Sequence, residues 1–377
     1  MSFHCTITKN DFLEGLNSLQ NITNKKGTLA ILSNVLIETQ SNGLILTGTD
    51  LEVGLRLFIP AEIHAEEGTI TLPSKKIFEI VRESGSDTIT IEEKDNSWVV
   101  ITAGLSTYNL AGMPSVEYPE FPEYKDDSFV QFESHIFLEL IDKVIFSIAN
   151  EQENIYSLTS VLFEKEHRDG LSYLKMISSD GHRLSIMEKD VASDIDQLQL
   201  NAVTLIPKKG IQEMKKFCEA RDSIEISFEE KQMIVRDGDA VMVIRLKHGE
   251  FPQYQTIMEA VQLENCAKIN RIPFLESLKR INLFTEDIFH TIQLQIDNNK
   301  MILTSQNADL GNAKDEQAIS YTGEPLTLGF NCRYFLETLQ VMECETVQAY
   351  INSNNSPCLI KSEDDKGFIS IIMPMQL

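Results

Sequence analysis
Apolar and polar positions along this chain follow one order three times over. Near the start, Phe12, Leu13, Leu16 and Leu19 recur at helical spacing and predict a helix over 10–22. The alternating runs SNVLIET and GLILTGTD follow, joined by a turn at Ser41, Asn42 and Gly43, and predict paired strands. The stretch 68–81, GTITLPSKKIFEIV, reads as a short strand, a turn and a second helix. DTITIEE, WVVITAG and STYNLAG read as three more strands, ending at Met113-Pro114.

The same order returns twice. HIFLELIDKVIFSIA, over 135–149, predicts an amphipathic helix capped by Ser134. SVLFEKE and LSYLKMISSD pair across Arg168-Asp169-Gly170, and 201–217, NAVTLIPKKGIQEMKKF, repeats the strand–turn–helix theme. SIEISFEE, QMIVRD and AVMVIRLKHGEFP close that copy at Phe251-Pro252. The last copy starts a helix near Pro273, over 273–284, with proline at a helix-entry position. HTIQLQID, KMILTSQN, the theme over 324–339, then TVQAYIN, CLIKSED and GFISIIMP complete it at Met373-Pro374.

Thr71, Thr204 and Thr327 mark the theme in each copy. Their spacings of 133 and 123 residues are those of a whole domain rather than a small solenoid unit. A polar residue after the second strand (Asp50, Asp180, Asn307) and the closing apolar-Pro pair keep register with it. The expected architecture is α+β: three duplicated domains over 1–127, 128–254 and 255–377, each of two helices and about eight strands. The acidic, proline-bearing stretch 115–127 reads as a linker between the first two.

Charge then changes the picture. A helix N-terminus favours acidic residues, yet Lys75 and Lys76, Lys208 and Lys209, and Arg333 stand at the three theme helices. Basic side chains at helix N-termini suit a polyanion. The whole chain, however, carries a formal net charge of −24 with a pI near 4.7. An acidic outside with a basic inner face reconciles the two.

No apolar run has membrane-spanning length, and MSFHCTITKNDF lacks a signal pattern. Cys5, Cys218, Cys266, Cys332, Cys344 and Cys358 form no C-x-x-C pair and read as reduced thiols, which points to a cytoplasmic protein. No His or Cys has metal-ligand spacing, so neither metal nor cofactor is expected.

SSDGHRLSI tempts an enzymatic reading, with Asp180 and His182 as an acid/base pair beside Ser179. Neighbouring residues rarely converge as such a pair must, and an Asp-Gly turn is the ordinary alternative. No other catalytic motif is present. The tail, GFISIIMPMQL, stays apolar to its last residue. Beyond Pro374 it cannot simply continue a central strand, so Met373, Pro374, Met375 and Leu377 suggest a groove wall; methionine adapts to varied ligands.

LSNVLIE with LTGTDLE, MPSVEYPEFP, SDGHRL, IPKKG, GEFPQY, GFN-x-x-Y and the terminal MPM-x-L together resemble the bacterial DNA polymerase III beta subunit family, the replication sliding clamps, over the full length. The resemblance implies half of a closed ring, formed by a head-to-tail homodimer around double-stranded DNA, without catalysis. It implies DNA polymerase III, clamp-loader subunits and other motif-bearing proteins as partners. A DNA-independent scaffold and a hydrolase using Asp180 and His182 are the alternatives.

By the same resemblance, Lys25, Lys26, Lys75, Lys76, Lys208, Lys209, Gln152 and Tyr156 face DNA, with Ser157 where relatives often have a second aromatic. A peptide groove is implied at Leu158, Ser179, Gly181, His182, Arg183 and Leu184. It continues through Pro252, Ile257 and Tyr334 to Ile371, Met373, Pro374, Met375 and Leu377. Thr256 and Gln376 depart from the family's usual residues there. Leu283 and Phe284 are implied to meet Ile80 and Leu110 of a second subunit.

Overall fold
The computed structural model describes residues 3–23, 29–64, 68–150, 156–285, 290–307, 309–353 and 356–376. The first copy contains β1 (His4–Thr8), α1 (Lys9–Thr23), β2 (Asn34–Gln40), β3 (Gly43–Thr49), β4 (Val53–Pro60), β5 (Glu62–Ile63), β6 (Thr69–Pro73), α2 (Ser74–Glu83), β7 (Thr88–Glu93), β8 (Trp98–Ala103) and β9 (Ser106–Ala111). The second contains β10 (Val130–Glu133), α3 (Ser134–Asp142), β11 (Ser160–Arg168), β12 (Leu171–Ser179), β13 (Arg183–Val191), β14 (Thr204–Pro207), α4 (Lys208–Glu219), β15 (Ser223–Glu229), β16 (Gln232–Asp237) and β17 (Ala240–Arg245). A short helix, α5 (Tyr254–Glu259), leads into the third. That copy contains β18 (Cys266–Asn270), α6 (Arg271–Asn282), β19 (Thr291–Asp297), β20 (Lys300–Asn307), β21 (Gly311–Ala318), β22 (Ser320–Tyr321), β23 (Leu326–Asn331), α7 (Cys332–Val341), β24 (Thr346–Tyr350), β25 (Cys358–Lys361) and β26 (Phe368–Ile372).

The chain forms two compact units, and they cut across the copies. In one, β5-β1-β7-β8-β9 make a sheet and β10-β15-β16-β17-β4-β3-β2-β6 make another. In the other, the sheets are β14-β11-β12-β13-β26-β25-β24-β18-β22 and β21-β20-β19-β23. Each long sheet therefore joins strands of the middle copy to strands of a neighbour. All the strand pairings are antiparallel, and apolar residues alternate inward. On α1, Phe12, Leu16, Leu19 and Ile22 are buried. Gly15 brings that helix close to the sheet: a Cβ there would lie 2.9 Å from Leu46. Phe274 on α6 and Phe330 on β23 meet the Phe335 ring of α7 at 5.8 and 5.1 Å, edge-on.

Several sequence expectations change. The theme helices start at Ser74, Lys208 and Cys332, which aligns Thr71 with Leu205 and Gly329, not with Thr204 and Thr327. Isolated bridges from those three residues to Met113, Lys247 and Met375 agree. The basic position that truly recurs is the second helical residue: Lys75, Lys209 and Arg333. Strands β1, β10 and β18, and β4, β13 and β21, escaped the sequence reading. β10 and β18 are only 4 and 5 residues long, and β21 is a sheet edge whose sequence, GNAKDEQA, has no apolar alternation.

The helix expected over 135–149 ends at Asp142, followed by a turn of 3-10 helix at Ile145–Ser147. Ser134 does not cap it; its Oγ is buried without a partner. The expected linker 115–127 is pinned down: Tyr118 is buried and its hydroxyl donates to the Asn34 and Thr47 carbonyls, each at 3.2 Å. Arg56 lies 4.5 Å from the Phe121 ring centre.

Candidate partner groove and nucleic-acid interface
The recurring polar residue closes a turn. Asp50 Oδ1 accepts from the Glu52 and Val53 amides at 3.0 and 2.8 Å. Asp180 Oδ1 does the same with His182 and Arg183, at 3.0 and 3.1 Å. Asn307 Oδ1 repeats it with Asp309 and Leu310, at 2.9 and 3.0 Å. Asp and Asn suit this job because their short side chains reach their own backbone two residues on. In the middle copy Ser179 Oγ accepts from the Gly181 amide at 3.1 Å and donates to the Arg183 carbonyl at 2.7 Å. Gly181 sits at φ +89°, where a side chain would be strained. Ser179 and Asp180 are thus turn-builders, and Asp180 turns its second oxygen to Arg183 Nε at 2.9 Å. The acid/base pairing of Asp180 with His182 has no support in this geometry.

That turn opens one end of the nine-stranded sheet, and the groove residues gather there. Leu184 faces Ile371 across the β13–β26 ladder. The Met373 amide donates to the His182 carbonyl at 2.9 Å, extending the ladder one step past β26. Pro374 then ends it, and the Met375 amide crosses to the Gly329 carbonyl at 2.8 Å. Leu184 and Ile371 belong to a buried cluster with Leu205, Tyr254 and Leu359, against which Ile257 and Phe251 pack half-exposed.

Of the implied groove positions, Leu158, Leu184 and Ile371 are buried. Gly181, His182, Pro252 and Met373 are exposed, and Tyr334, Ile257, Pro374 and Met375 are half-buried. Leu377 lies outside the described residues. Phe251 and Met258 pack against the same cluster and were not among the sequence candidates; GEFPQY contained Phe251, and nothing in the sequence marked Met258.

The basic positions are less uniform than their sequence suggests. Lys75 and Lys76 are exposed, with Lys76 2.7 Å from Glu79, a surface pair of small energy. Lys208 is half-buried with Nζ 3.3 Å from the Ile148 carbonyl. Lys209 instead pairs with Asp50, whose side chain is 1% exposed. Burial alone would raise the Asp50 pKa, but the Lys209 ammonium and the turn amides hold it below its ordinary value. Lys25, Lys26 and Gln152 lie outside the described residues, as does the side chain of Tyr156.

All six thiols are free, and burial pushes Cys5, Cys218 and Cys332 up to about 12. Among the described residues no helix is long and apolar enough to cross a membrane. No group of three or more His, Cys, Asp or Glu among them could hold a metal ion.

Comparison with solved structures defines the class. The fold is that of the sliding clamps: a C. crescentus beta sliding clamp superimposes with TM-score 0.91 at 24% identity, covering 100% of both chains. A Bartonella birtlesii sliding clamp bound to griselimycin superimposes with TM-score 0.92 at 25% identity, again over 100% of both chains. Curated relatives include the beta sliding clamps of Vibrio cholerae, 25% identical, and Haemophilus influenzae, 27% identical, each covering 99% of both chains. The N-terminal, central and C-terminal domains of the DNA polymerase III beta subunit match residues 1–122, 131–253 and 261–376. The chain belongs to the DNA polymerase III beta subunit family. It is a sliding clamp, a non-catalytic processivity factor of DNA replication.

Proposed function
We propose that two copies of this chain close head-to-tail around duplex DNA and tether a polymerase and other factors through the groove at Gly181–Met375. The repeats 1–127, 128–254 and 255–377 are the units of that ring. The carrying observation is a repeated junction with one register. Within the chain, β4 pairs β17 with Val53 opposite Ile244, and β13 pairs β26 with Arg183 opposite Ile372. Val53, Arg183 and Leu310 each stand three residues after their turn-closing Asp or Asn. Leu110, Ile244 and Ile372 each stand three residues before their isolated bridge. The equivalent strands left at sheet ends are β9 and β21. Pairing them between copies brings Leu110 opposite Leu310, and a heterologous contact of this kind closes into a ring when the rotation closes.

Ile80, Leu110 and Phe284 are half-buried and Leu283 is 72% exposed, so all four suit that interface better than a core. The inner contacts are Lys75, Lys76 and Lys208, with Lys25, Lys26, Gln152 and Tyr156 by family position. They hold phosphates without reading bases. The test is topological. Protein loaded on nicked circular DNA is expected to be released when the circle is cut to a linear form; retention after cutting excludes encirclement.

Lys209 plays a different part in this reading, that of a junction tie. The position of Asp50 is taken by neutral Asn307 in the third copy, so Lys75 meets no carboxylate at the junction between subunits. Lys75→Ala should flatten the slope of log affinity against log salt by about one, as expected for one lost phosphate contact. Lys209→Ala should leave the slope alone and cost about 1–3 kcal/mol in stability, because it strands a buried carboxylate. DNA binding measured across a salt series, with urea melts, separates the two.

A further inference from the structure
We infer that Glu337, on α7 and outside the implied groove set, is a positioning residue for the partner groove, acting through Arg183. This rests on the groove reading above. Arg183 begins β13, is 8% exposed, and its guanidinium has an acceptor on each nitrogen. Nε donates to Asp180 Oδ2 at 2.9 Å and one terminal nitrogen donates to the Phe146 carbonyl at 2.6 Å. The other terminal nitrogen donates to Glu337 Oε2. The Tyr334 ring lies 4.5 Å from the guanidinium carbon and the Phe146 ring 5.3 Å.

Tyr334 and Glu337 are three residues apart on one helix, so they present to the same side. One holds the guanidinium by its face and the other by its edge. A planar cation held in its plane by three acceptors and flanked by rings has one orientation. Through it, the turn carrying Gly181 and His182 is fixed to the α7 face carrying Tyr334. Those are two walls of the groove, and among the described residues Glu337 is the ionic link from Arg183 to α7.

Removing Glu337 leaves Asp180, the Phe146 carbonyl and the Tyr334 ring in place, so the fold keeps Arg183 while α7 loses the contact that fixes the guanidinium by its edge. Glu337 is itself 41% exposed, and its loss should barely move the melting curve. The groove walls, however, lose their mutual registration.

The experiment uses the full-length protein and two probes: a labelled peptide carrying a Gln and spaced apolar residues, and griselimycin. Glu337→Ala is expected to weaken binding of the peptide about five- to tenfold, the scale of one ordinary net hydrogen bond. Glu337→Gln, which keeps an acceptor, should recover most of that loss. The melting temperature should stay unchanged in both. In an Arg183→Lys background, Glu337→Ala should cost much less, since the shared geometry is already gone. Wild-type affinity in Glu337→Ala overturns the inference alone. So do additive losses in the double variant, which would make Glu337 an independent contact. Failure of the wild-type protein to bind either probe overturns the groove reading and this inference with it.

Discussion
Replacing Lys143 by Met is expected to cost about 3–5 kcal/mol, the scale for stranding one partner of a buried ion pair. Lys143 Nζ lies 2.5 Å from Asp365 Oδ1, and both side chains are 5% exposed. The ammonium also donates to the Val341 carbonyl at 2.5 Å. Asp365 accepts from the Glu343 and Cys344 amides, each at 3.0 Å to Oδ2. The pair therefore ties the turn that follows α3 to the loops around α7. Without Lys143, a carboxylate remains buried against two amides and no cation. Replacing both partners, Lys143→Met with Asp365→Leu, should recover much of the loss, because the uncompensated charge is gone.

The pH dependence has a definite sign. Burial pushes the Asp365 carboxyl up, but Lys143 and the two amides together hold it below its ordinary value. A depressed carboxyl stabilises the fold above the ordinary carboxylate range, and that stability is lost as pH falls through the lowered value. The gap between wild type and Lys143→Met should be widest near neutrality and narrow in acid. Urea midpoints at a series of pH values measure it; a gap that widens in acid contradicts the pairing.

Leu110→Asp is expected to raise the dimer dissociation constant about 100-fold, as burial of an unpaired carboxylate costs a few kcal/mol. Leu110 is half-buried on β9, and its junction equivalents Ile244 and Ile372 are fully buried inside the paired sheets. Leu310, its proposed opposite, is 65% exposed in a single chain, as a residue awaiting a partner would be. Sedimentation should shift from about twice 42.7 kDa toward the mass of one chain. Retention on circular DNA should fall with it. A variant that stays dimeric would remove β9 from the interface.

The landmarks legible in the sequence were those whose cause is local. Asp50, Asp180 and Asn307 stood out because each closes a turn with its own next residues. Met113-Pro114 and Met373-Pro374 stood out because proline ends a strand wherever it falls. The theme helices were found, yet their register slipped, since a threonine was matched where the helix start sets the alignment. Strand β21 was invisible because its alternation runs between half-buried and exposed polar residues, with no large apolar side chain to mark the inner face.

Sequence alone determined the α+β class and the triplication, because periodicity, turn residues and duplication are written within a few dozen residues. Tertiary structure decided which strands of different copies share a sheet and which lysine is a tie rather than a free cation. It also decided which of the candidate groove residues are buried and which exposed. Those depend on partners far apart in the chain, such as Arg183 and Glu337, 154 residues distant, or Lys209 and Asp50, 159 distant. No local pattern of side chains encodes a meeting that only the closed sheets bring about.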